Sequence, residues 1–105
     1  MKTSKKVLVN VNLSVPLLVF KEDSEFIAHS PFLDLSACGK TFEEAETQFE
    51  EAAKLLIEEL IKKGTLDECL KNLGWKKVRK QWTPPTIVSQ INSIDVSVEK
   101  VATCA

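Results

Sequence analysis

The stretch from Thr41 to Gly64 constrains this chain more than any other, because it carries the marks of one long helix at both ends and along its length. Thr41 stands three residues before Glu44, so its hydroxyl can accept from the Glu44 amide while the Glu44 carboxylate reaches back to the Thr41 amide, as in a capping box. Lys62 and Lys63 suit the negative end of the helix dipole, and Gly64 supplies a left-handed stop. At about 100° per residue, Phe42, Ala45, Phe49, Ala52, Ala53, Leu56 and Leu60 fall on one arc that should face a core. The opposite arc holds Glu43, Glu44, Glu46, Glu50, Glu51, Glu58 and Glu59, with Lys54 the one cation among them. A partner that meets this face should tolerate or prefer negative charge.

The residues before the helix alternate. Every odd position from Val7 to Val19 is apolar while Asn10, Asn12 and Ser14 take even ones, which predicts a half-buried strand over 6–20. Leu18 and Phe20 make the even face apolar as well, so that end calls for cover on both sides, from its own chain or a second subunit. Pro16 cannot donate to a ladder and marks an edge, bulge or kink. A polar turn at 21–24, a second strand at 25–30, a break at Pro31 and a third strand from Leu33 to Cys38 complete an antiparallel meander over 6–38. The long helix follows at 41–63.

Leu55, Ile57 and Ile61 widen the apolar arc beyond one face, and the next segment is expected to cover them. Thr65 with Glu68 repeats the capping-box spacing, Leu66, Cys69, Leu70 and Leu73 recur at helical intervals, and Gly74 ends a short helix over 65–73. A basic, proline-containing linker is expected at 75–85. Beyond it, Ile87, Ser89 and Ile91 alternate, then Ile94, Val96 and Val98 in the opposite parity, predicting a bent C-terminal strand over 86–101. Such a strand must pair with the open edge of the meander or with another protomer.

With 105 residues, 44% of them hydrophobic, the chain has material for one ordinary core, so 1–105 is expected to be a single α+β domain. A net charge of −1 removes any global attraction for nucleic acid and leaves only local patches to consider. Cys38, Cys69 and Cys104 sit in no C-x-x-C or His-rich frame, which speaks against a disulfide scaffold or zinc site. The basic N-terminus resembles a signal peptide, but its apolar run is interrupted at every second place and no small-x-small site follows. A cytoplasmic location without membrane partner is the expectation, and no cofactor or metal is called for.

His29 is the single histidine. A thiolate dyad with Cys38 across neighbouring strands lacks a third orienting group, and a surface strand histidine is the plainer reading. Asp34 with Glu43 or Glu44 imitates the carboxylate pair of a metal nuclease, yet capping already accounts for Glu44. Between Trp75 and Trp82 lie Lys76, Lys77, Arg79 and Lys80, and cations beside aromatics are how single strands are held. The same residues equally describe a linker whose indoles pack on the core while its lysines stay in water or pair with the acidic helix.

The run from Phe26 to Ala45 resembles the core signature of the HicB-like antitoxin family: an aromatic strand ending in Ala28, then Pro31, a short strand, and Gly39-x-Thr41-x-Glu43-Glu44-Ala45 opening a helix. The resemblance spans about residues 8 to 75. This chain has Leu33-Asp34-Leu35 where commoner members carry Leu-Pro-Gly-Cys, and it offers no helix pair after Pro85, where many members carry a DNA-binding module. DNA binding is therefore not carried over. The resemblance implies a partial ribonuclease H-like sheet and helix without a nuclease site, hence no enzyme, and a partner: the small, basic, mRNA-cleaving HicA toxin of a type II toxin–antitoxin pair. For that partner the expected contacts are Glu43, Glu46, Glu50, Glu51 and Glu58, the carboxylate row competing with RNA phosphates for a basic cleft. A solvated helix face is the alternative meaning of such a row. Two-faced apolar strands and an unpaired terminal strand also predict a homodimer or tetramer. An orphan oligomeric scaffold without toxin, and a weak RNA-binding module, are the competing functions.

Overall fold

The alternation, the turn residues and the caps produce a three-stranded antiparallel sheet under one long helix. The computed structural model describes residues 11–88 and 93–99. Strands β1 (Leu18–Glu22), β2 (Glu25–Ser30) and β3 (Leu35–Gly39) form the sheet in that order, and α1 (Phe42–Lys63) crosses one face. A short α2 (Leu66–Asn72) and a separate hairpin of β4 (Lys76–Val78) and β5 (Gln81–Thr83) complete the domain. The register Val19↔Ala28↔Ala37 puts a row of small side chains on the α1 face. Alternation sends Leu18, Phe20, Ile27, His29, Ser36 and Cys38 to the other face, where Leu18 and Phe20 are exposed.

Helix α1 is capped much as its ends predict. The Glu44 amide donates to Thr41 Oγ1 at 3.0 Å, and Gly64 takes φ +70°. The Gly64 amide bonds to Ile61 O and the Thr65 amide to Leu60 O, which is the Schellman pairing, and Gly74 closes α2 in the same way. Thr65 therefore spends its amide on the end of α1, its backbone leaves the extended region, and it makes no side-chain cap for α2. The expected second capping box does not form.

The inner arc is buried at Ala45 and Phe49 and half-buried at Ala53, Leu56, Ile57 and Leu60. Phe42 is exposed instead, because the sheet meets the helix one turn later, where Gly39 lies against Ala45. Leu55 and Ile61 are exposed as well. At 1.5 Å per residue a seven-residue helix reaches about 10 Å against about 33 Å for α1, too short to cover both flanks. Leu66 and Leu70 are spent instead on a core shared with Ala28, Leu33, Trp75 and Trp82.

Four expectations about strands and linkers are corrected. Residues 6–10 lie outside the described residues, and 11–17 join no ladder, since β2 ends at Ser30 and Pro31 turns away, leaving Leu18↔His29 as the last pair. Their alternation survives as burial: Val11, Leu13, Val15 and Leu17 pack on the core while Asn12 and Ser14 are exposed. The third strand starts at Leu35 because Asp34 takes φ +52°. The 75–85 linker contains a hairpin. Finally, the C-terminal strand over 86–101 is not formed at 86–88 or 93–99, and its other positions lie outside the described residues. Among the described residues no ladder partner stands beside those segments, and alternation alone does not make a strand.

Candidate functional site: an acidic helix flank above an open groove

Residues 11–17 and the flank of α1 enclose a groove of about 790 Å³. Leu13, Val15, Leu17, Phe49, Ile57 and Ile61 give it an apolar lining. Glu46, Glu50, Lys54 and Glu58 edge it, three carboxylates and one ammonium at intervals of four residues along one side of the helix. Glu43 and Glu51 are exposed but do not border the groove. The five acidic positions expected to meet a partner thus divide into three beside an apolar cleft and two elsewhere on the helix surface. Among the described residues α1 holds one ion pair, Lys63 Nζ to Glu59 Oε1 at 4.0 Å.

A row of carboxylates along a helix beside an open apolar trough suits a cationic, partly apolar protein surface. Charge provides attraction at range and the trough provides burial. The apolar half of this site is visible in sequence only as a surplus: Ile57 and Ile61 beyond the helix arc, and an odd-numbered row before β1 longer than the sheet can use.

The basic segment is built differently from a strand-binding platform. Trp75 is 2% exposed and its Nε1 donates to Phe32 O at 2.6 Å, while Trp82 is 8% exposed. Neither indole offers a face for base stacking. Lys77 sits over the Trp82 ring at 5.6 Å and 3.7 Å from Asp67, on α2 rather than on the acidic α1. Lys76, Arg79 and Lys80 are exposed on the hairpin.

Among the described residues no group of three or more His, Cys, Asp or Glu side chains is placed to hold a metal ion. The sheet register sets Ser36 opposite His29 and Cys38 opposite Ile27, and His29 Nδ1 lies 2.6 Å from Ser36 Oγ. Asp34 occupies the turn before β3, while the Glu44 backbone amide is held by Thr41. Among the described residues no helix is long and apolar enough to cross a membrane. Comparison of the chain with protein-family models, curated proteins and solved structures finds no match.

Proposed function

We propose that this chain is a HicB-type antitoxin, a protein with no chemistry of its own that binds a small basic HicA-like ribonuclease and occludes it stoichiometrically in the cytoplasm. The observation that carries the reading is the row Glu46, Glu50 and Glu58 beside an open apolar groove. A ribonuclease must present cations to RNA phosphates, and carboxylates fixed on a helix compete for those cations without being cleavable. The resemblance of the run from Phe26 to Ala45 supplies the toxin class, and the uncovered apolar surfaces support self-association.

The test is to tag the chain, express it near native level in its source cell and identify what co-purifies at low salt. The expected result is a small basic protein whose overexpression arrests growth and whose arrest this chain relieves. Reversing Glu46 and Glu50 to Lys should weaken that complex at least tenfold and flatten its salt dependence. Unchanged binding would return the acidic face to the role of a solvated surface. Recovery of the chain with itself alone would favour the orphan scaffold, a reading supported by exposed Leu18 and Phe20 on the open sheet face.

A further inference from the structure

Among the described residues, two segments with alternating apolar side chains join no ladder. Residues 11–17 turn an apolar row inward, join no ladder, and line an open groove. Residues 93–99 carry Ile94, Val96 and Val98 at every second position, 84%, 80% and 82% exposed, again outside any ladder. An alternating apolar segment left in water is an unstable arrangement, and so is a strand-like segment with an open edge.

We propose that residues 93–99 of one copy add as a strand beside residues 11–17 of a second copy, with the exchange made reciprocally so that two chains close into a two-fold pair. The alternation fits the place. With Ile94, Val96 and Val98 turned into the groove over Ile57 and Ile61, residues Asp95, Ser97 and Glu99 face solvent. On that side residues 11–17 show Asn12 and Ser14, so no like charges lie directly opposite across the new ladder, and since Glu46, Glu50 and Glu58 edge the same groove, the exchange gains from burial and backbone bonds and not from charge. Backbone bonds supply the affinity and the alternate side chains the register, as in strand addition generally. A second copy is the occupant because one chain holds donor strand and acceptor groove open at once, and each copy can give one and receive one. The proposal deepens the self-association inferred above and needs no toxin to form, and because it fills the groove assigned above to a basic partner, strand exchange and toxin binding would compete.

Both contacts are reached by substitutions at exposed positions of the full chain: Val96→Lys on the donor strand and Ile61→Lys at the groove. Solution mass by light scattering should give two copies for the parent. Because each variant spoils both junctions of its pair, its dissociation constant should rise about a hundredfold. An equimolar mixture of the two variants should recover a pair about tenfold weaker than the parent, since one intact donor then meets one intact groove and the second junction, already lost to either lysine, loses nothing more by carrying both. A parent pair that Val96→Lys leaves unchanged would overturn the exchange while leaving self-association through another surface standing. Monomeric variants whose mixture forms no pair would also overturn it, since only a shared patch behaves that way. A monomeric parent would overturn the exchange and the self-association together.

Discussion

At the scale of single residues, the domain is most sensitive where backbone meets backbone. Gly39 ends β3 against the first turn of α1. A Cβ built there would stand 2.6 Å from Ala45 N and 2.8 Å from Glu44 C, atoms of a capped helix that cannot move aside. Gly39→Ala should therefore cost about 2–3 kcal/mol, near the upper end of what overpacking costs, read as a lower urea midpoint at constant m-value. Gly64 has no atom within 4 Å of such a Cβ, and its constraint is φ alone. Gly64→Ala should cost about 1 kcal/mol. If the two substitutions cost the same, the close approach of β3 and α1 is not what Gly39 provides. In the sequence Gly39 reads only as a turn before a helix, because the neighbour it must admit is set by the sheet.

Among the elements, the β4–β5 hairpin carries visible strain. Val78 pairs with Gln81, and the two residues between them, Arg79 and Lys80, both take positive φ, +51° and +66°. A two-residue loop of that kind favours Asn-Gly, and side chains as large as Arg and Lys are held there at a cost. Replacing Arg79-Lys80 by Asn-Gly should stabilise the domain by about 1 kcal/mol, seen as a raised thermal midpoint. If the basic tip contacts a polyanion, the same replacement removes a weak, salt-sensitive affinity for RNA; if no such affinity exists in the parent, the cations are ordinary surface charge. The hairpin was hidden in the sequence because its strands are three residues each and neither Asn nor Gly marks the turn.

Across the whole molecule, Trp75 fastens the second half of the domain to the first. Its ring is buried among Leu33, Leu70 and Trp82, and its Nε1 bonds the Phe32 carbonyl 43 residues earlier in the chain. Trp75→Phe keeps much of the apolar contact but leaves that carbonyl without its donor, which should cost about 1–3 kcal/mol in urea unfolding. Hydrogen exchange should show the loss at α2 and the hairpin together with the turn before β3, because one contact joins them; protection lost at the hairpin alone would mean the two halves are held by other packing. The long helix, its two caps, the strand from Glu25 to Ser30 and the α+β class were determined by sequence, because caps and periodicity act between residues a few positions apart. What the tertiary structure alone decided is which apolar rows find cover. Val11 to Leu17 and Ile94 to Val98 alternate as well as any strand here, yet a ladder needs a neighbour as well as a pattern, and that neighbour is fixed by where β2 ends and how far α2 can reach. The groove beside the acidic helix is the consequence, and no local spacing announces it.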